Sequence, residues 1–291
     1  MIALLKFEFA KMVRSKLLWM GIVFIFLMVS ALYAAFLWRQ AHPRKDKVRK
    51  QLIDSTKVLS APWFAVCLET PTMLVFFPMF VSVMGGAMLA GESRQGTLRT
   101  MLIRPVSRGQ VLASKALMLV VYSTALMGFN TLMAWGIGFW EFPRRGQLVI
   151  ISQEATFGIY MIDPSQSIER AALSYLLTLP TLWSLAMMAL MFSVMFEQGV
   201  TAAMATMGVY FGSWILDELP FHFLDVIQPF LPAHYAFAWR WPYHPKLVDG
   251  KPIWDTMDWS RITHDLGWLA VWTIGYIVIA SIVFSRKDVK A

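Results

Sequence analysis

The sequence predicts an all-α membrane protein of six transmembrane helices, with an N-terminal interfacial helix and a broken, re-entrant or interfacial helical segment before the last span. Three observations carry this. Apolar residues make up 57% of the 291 positions and charged residues only 15%. Mean hydropathy is +0.55, beyond what an ordinary globular domain carries. Six stretches also reach the roughly 20 apolar residues that a helix needs to cross the hydrocarbon core, where every backbone polar group has to be satisfied internally.

The spans are expected at 17–38, 71–90, 111–137, 171–196, 200–216 and 266–284, all within one transmembrane domain covering 1–291. Ahead of the first, residues 1–16 place Ile2, Leu5, Phe9, Met12 and Val13 on one helical face and Glu8, Lys11, Arg14 and Ser15 on the other. That pattern suits a helix lying along the membrane surface with its basic residues at anionic head groups. Continuing the first span through Lys11, Arg14 and Lys16 would drive those charges into hydrocarbon. The apolar run that follows exceeds a signal-peptide core of about 7 to 15 residues, so the span is expected to be retained.

Between spans two and three lies a polar, arginine-dotted segment, 91–108. Glu92 to Ile103 can form a short helix, Pro105 breaks it, and Ser107 with Gln110 has capping-box spacing for the start of span three. Glu197-Gln198-Gly199 alone separates spans four and five, which predicts a tight hairpin. Gly208 and Gly212 in span five have the G-x-x-x-G spacing that lets helix backbones approach, with packing inside one chain favoured over a dimer seam. Residues 217–265 form an outer cap region. Within it Leu219 to Trp239 is apolar, yet Pro220, Pro229, Pro232, His222, Asp225, Gln228 and His234 argue against a continuous crossing. No charged residue is expected near the middle of a span, and Asn130 is expected to bond across a helix interface.

The charged residues give no single orientation. An N-terminus in the cytosol leaves slightly more than half of the 26 Lys and Arg outside, many of them between Arg39 and Lys57. The basic residues flanking the first span and following the last favour both termini in the cytosol.

The string E-S-R-Q-G-T-L-R starting at Glu92, followed by R-P-V-S-R at Arg104 and by Lys115, resembles the cytosolic signature E-x-x-x-G-T-L…P-x-S-R…K of ATP-binding-cassette (ABC) type-2 membrane subunits. The surface helix, the six spans, the short hairpin and the broken segment also resemble that family, while the basic segment from Arg39 to Lys57 departs from its most compact members. The resemblance implies a permease subunit, mostly an exporter, in an integral plasma membrane (bacterial inner membrane). It implies a coupling element that docks on a cytosolic ABC ATPase subunit through Glu92, Arg94, Gly96, Thr97, Leu98, Arg99, Arg104, Pro105 and Arg108. It further implies a second permease copy, forming a homodimer, and membrane lipid around the assembly. ATP and Mg2+ would bind the partner. Gly91 and Gly96 share the first spacing of a phosphate-binding loop, but Thr97-Leu98 stands where Lys and Ser/Thr are required, so no cofactor is expected in this chain.

Other readings were weighed against the residues. A membrane anchor or assembly component could use an ATPase without moving a substrate. A membrane-embedded enzyme could draw on His222, Asp225, His234, His244, Asp249, Asp255, Asp258, His264 and Asp265, but no H-E-x-x-H or G-x-S-x-G spacing organises them and no metal site is expected. Met187, Met191, Met195, Met204 and Met207 read as flexible core filler rather than as Cu(I) ligands. Cys67 reads as a small packing residue. Nucleic-acid binding explains the +8 charge poorly, because much of the excess flanks spans.

Overall fold

A computed structural model describes residues 2–42, 60–94, 107–144, 146, 148–152, 158–219, 221, 224, 226–244, 246–248, 251–253 and 256–286. A surface helix, Ile2–Arg14, leads into six helices long and apolar enough to cross a membrane: Lys16–Trp38, Ala61–Gly91, Arg108–Glu141, Pro164–Met195, Gly199–Glu218 and Trp259–Arg286. Span four is the central post. In its most apolar window 78% of residues are buried, against 17% for spans one and six, whose outward faces therefore need lipid or another protein.

Three spans, the second, fourth and sixth, begin earlier than hydropathy alone suggests. Span two starts at Ala61, capped by Ser60, whose Oγ accepts from the Trp63 amide. Span four starts at Pro164, capped by Asp163 with Pro at the first helical position. The extra turns carry charge into the bundle. Glu69 and Arg170 are fully buried in these added turns, near the span starts and away from their middles. Asn130 is buried too, but neither amide atom finds a partner among the described residues. Cys67 is exposed on the surface of span two rather than packed inside.

Span two is not a uniform α-helix. It widens into π-helical turns at Thr72–Phe76 and Ala87–Gly91. Pro71 and Pro78 flank the first, where the Phe77 amide reaches back five residues to the Thr72 carbonyl. Proline lacks an amide hydrogen and crowds the carbonyl four residues back, which is a recognised cause of such a turn.

Close backbone packing occurs where the G-x-x-x-G spacing did not place it. A Cβ on Gly85 would sit 2.4 Å from Ala189 Cβ, and one on Gly86 would sit 2.5 Å from the Gly199 carbonyl oxygen. Among the described residues, a Cβ on Gly208 or Gly212 would meet nothing within 4 Å. Spans two, four and five thus meet through glycine and alanine, beside a core holding Met187, Met188 and Met191. Met195 and Met204 point outward.

Arg108 Nη1 donates to the carbonyls of Phe284 and Ser285, at 3.1 and 3.0 Å, which puts the end of span six beside the start of span three. Spans three and six thus meet at one end of the bundle. This end, which also holds the surface helix and the Phe196–Gln198 turn, is called basal here. The opposite, cap end carries short helices at Gln228–Phe230, Pro232–Ala236 and Ala238–Tyr243. It also carries two antiparallel hairpins, Leu148–Ser152 with Gly158–Ile162 and Lys246–Val248 with Lys251–Ile253. The sequence reading included no strands. The first hairpin sets Leu148 and Ile162 against Ala171 and Tyr243.

His234 Nδ1 lies 2.6 Å from Asp217 Oδ1. That hydrogen bond, more than the opposing burial, raises the histidine above its ordinary range. A raised native value means that the bond's contribution is fully present below about pH 6.5, the unperturbed histidine range, and is lost as pH rises through the native value. The His234 ring resonances should titrate above those of a free histidine, and Asp217→Asn should return them to the ordinary range.

In thermal unfolding, Gly86→Ala should cost about 1–3 kcal/mol by overpacking. Gly208→Ala should leave the isolated subunit within about 0.5 kcal/mol.

Candidate functional site

The basal end holds an enclosed cluster of paired charges. Lys115, about two turns into span three, is completely enclosed, and its Nζ lies 2.6 Å from Glu92 Oε2 and 3.2 Å from Glu8 Oε1. Glu92 Oε1 also accepts from Lys11 Nζ, on the part-exposed side of the surface helix. Two carboxylates and two ammonium groups balance in charge, which is the condition for keeping such groups out of water.

The surface helix is therefore not a simple two-faced helix with its charges at the head groups. Glu8 and Met12 turn inward, whereas Phe7, Phe9 and Val13 are exposed. Glu8 faces the bundle because Lys115 waits there, a pairing across more than a hundred positions that local periodicity cannot register. A cavity of about 100 Å³ opens beside the network, lined by Glu8, Lys11, Met12, Ser15, Met88 and Glu92 among others.

Glu92 follows directly on the second π-helical turn, and that turn is held from the side. Ser193 Oγ, on span four, accepts from the amides of Leu89 and Ala90 at 3.0 Å each and donates to the Gly86 carbonyl at 2.8 Å. One hydroxyl thus satisfies three backbone groups that the widened turn leaves without regular helical partners. Nothing in the local sequence around Ser193 marks it for this part.

At the other end of the segment between spans two and three, Ser107 and Gln110 form the capping box that their spacing predicts, with contacts of 3.3 and 3.2 Å. Arg108 binds the end of span six as described. The segment is therefore fixed on both flanks, by Glu92 on entry and by Arg108 on exit.

Of the residues that the resemblance assigns to docking, Glu92 and Arg108 are turned into the chain's own contacts, and Glu92 is only 3% exposed. Gly96, Thr97, Leu98, Arg99, Arg104 and Pro105 lie outside the described residues, as does the side chain of Arg94. Gly208 sits on an exposed face of span five, with Gly212 part-exposed one turn on. The basic residues from Arg44 to Lys57 are also outside the described residues.

The polar residues of the cap are engaged with one another. His264 Nδ1 is 3.1 Å from Asp265 Oδ1, and Asp265 Oδ2 accepts from Trp241 Nε1 at 2.5 Å. Asp258 Oδ1 accepts from the Arg261 amide. Arg240 stacks over the Phe237 ring at 4.2 Å and reaches Glu218 at 3.6 Å. Burial is the main cause that lowers the Arg240 guanidinium from its usual value. Among the described residues no three His, Cys, Asp or Glu side chains gather as metal ligands would. His222, Asp225, Asp249 and Asp255 lie outside the described residues.

Among curated proteins no match to the chain was found. A family model described as ABC-2 family transporter protein matches residues 2–289. That span takes in the surface helix, all six membrane helices and both flanks of the anchored segment, and the chain belongs to the ABC-2 family of transporter proteins.

Proposed function

We propose that this chain is the membrane-spanning permease subunit of an ABC transporter, exporting a substrate under the drive of a separate cytosolic ATPase that grips the segment between spans two and three. The observation that carries the reading is the anchoring of that segment: Glu92 to Lys115 and Lys11 before it, Arg108 to the end of span six after it. A lever needs such flanks, because a displaced loop moves helices only if it is stiffly joined to them. On this reading the basal end and both termini face the cytosol, in the plasma (bacterial inner) membrane. ATP and Mg2+ bind the ATPase, and Gly96, Thr97, Leu98 and the neighbouring arginines supply the docking surface. The outward glycine face of span five is offered to a second copy or to lipid.

Magnitudes separate the ties. Lys115→Met would strand Glu8 and Glu92 without their enclosed partner and should cost about 3–5 kcal/mol in thermal unfolding. Lys11→Met removes a half-exposed ammonium and should cost about 1 kcal/mol or less. Ser193→Ala leaves buried backbone groups unpaired, at about 1–3 kcal/mol.

The functional test is ATPase activity in reconstituted vesicles with the co-purified ATPase. Thr97→Asp should dissociate the ATPase. Glu92→Gln should leave the spans folded and the ATPase bound, while substrate-stimulated turnover falls about tenfold, equivalent to about 1.4 kcal/mol of coupling. Unchanged turnover in both variants would reject the coupling role. Basal hydrolysis that no lipid, drug, sugar or peptide stimulates would point instead to an anchor or assembly component.

A further inference from the structure

Glu69 is a carboxyl group fully buried in the cap half of span two. Among the described residues, no Lys, Arg or His forms an ion pair with it. Its contacts are hydroxyls from two other elements. Oε2 lies 2.7 Å from Ser174 Oγ on span four and 3.0 Å from the Tyr243 hydroxyl in the cap. Oε1 lies 3.0 Å from Thr178 Oγ1, again on span four.

Hydrogen atoms can be counted here. A serine hydroxyl has one proton to give. Ser174 Oγ is 2.7 Å from Glu69 Oε2 and also 2.7 Å from the Trp239 carbonyl oxygen, which has none. Thr178 Oγ1 is likewise shared between Glu69 Oε1 and the Ser174 carbonyl. With Glu69 ionised, one of the two short Ser174 contacts sets oxygen lone pairs against each other with no water between. A proton on Glu69 Oε2 resolves this: the acid donates to Ser174, Ser174 donates to Trp239, and Tyr243 and Thr178 donate to the acid's two oxygens.

Other titratable and charged groups on the surrounding elements have partners of their own. On span four, the Tyr175 hydroxyl donates to the Ala65 carbonyl, and Arg170 donates to the Pro242 carbonyl and to Gln166 Oε1. In the cap, Arg240 is held by Phe237 and Glu218. Glu141, at the end of span three, bonds Tyr33 of span one. Cys67, on span two itself, is exposed.

We propose that Glu69 is a proton site, a neutral acid that latches span two and span four to the cap through Ser174 and Trp239, and that loss of its proton releases the cap. An ionised Glu69 would be an uncompensated buried charge, and it would also draw the Ser174 hydrogen away from Trp239. The proposal concerns the chain alone and stands whether or not an ATPase docks at the basal end.

The test uses the full chain in lipid nanodiscs. Infrared difference spectra of wild type minus Glu69→Gln at neutral pH should show the carbonyl stretch of a protonated carboxyl, and raising the pH should abolish it. Ser174→Ala should move that band, since the acid loses its acceptor. Beyond the pH at which the band vanishes, amide hydrogen exchange in residues 238–243 should run faster in wild type than in Glu69→Gln at the same pH, by about tenfold per pH unit. Bands of an ionised carboxylate alone at neutral pH would overturn the protonated assignment, and a protonated band that Ser174→Ala leaves in place would overturn the hydrogen bond to Ser174. Equal exchange in the two chains would overturn the latch. If Glu69→Gln does not fold, wild type minus Ser174→Ala should show the protonated band displaced, and residues 238–243 of Ser174→Ala should already exchange faster than wild type at neutral pH; equal protection there would overturn the latch.

Discussion

An enclosed ammonium group dictates the layout of the basal end. Lys115 has no access to water, so its charge has to be answered by side chains, and the answers come from opposite directions in the sequence. Glu8 arrives on the surface helix and Glu92 on the last turn of span two. Once both are in place, the surface helix cannot float along the membrane independently of the bundle. The entry to the segment between spans two and three is then set by the same point that orients span three. Desolvation makes this constraint strong, because losing a partner leaves excess charge enclosed away from water.

The two ends of the bundle are held by different chemistry. The basal end uses an enclosed ion-pair network and a serine inserted into a widened helical turn, the cap end hydroxyls, indole nitrogens, stacked rings and more exposed ion pairs. Tyr235 stacks on Trp268, and Arg261 lies 3.8 Å over Trp241. Span four touches both regimes, supplying Ser193 to one and Ser174 and Thr178 to the other. Being the most buried span, it is the element against which movements at either end are referred.

Composition and apolar run length made the six helices and the interfacial start legible, since both follow from the free energy of placing side chains in hydrocarbon. Ser107 and Gln110 were legible for a local reason, as a capping box needs only two residues at fixed spacing. The polar interior was not. Glu69 and Arg170 were left outside the spans because a carboxylate or a guanidinium depresses hydropathy wherever it stands, and only the folded bundle shows that hydroxyls and carbonyls receive them. Gly208 and Gly212 advertised close packing that Gly85 and Gly86 perform, because spacing along one helix says nothing about which neighbour lies opposite. Glu92 was read as a surface residue because its loop is polar, whereas Lys115 draws it inside. The strands Leu148–Ser152 and Gly158–Ile162 were not legible because short apolar runs beside a helix resemble the helix.

The widened turns of span two have a further bearing on how its residues should be aligned and numbered against those of related chains. Each such turn accommodates about one more residue than a regular helical turn of 3.6. A helical-wheel projection drawn through the whole span therefore rotates the two halves out of phase and assigns buried positions to the lipid side. Within Thr72–Phe76 or Ala87–Gly91, a one-residue deletion can be absorbed by relaxing to ordinary winding. Between them, where Gly85 and Gly86 are wedged against span four and the start of span five, the same deletion would carry both glycines out of the notch. Length variation along this helix is thus tolerated at two joints and forbidden in the piece they enclose.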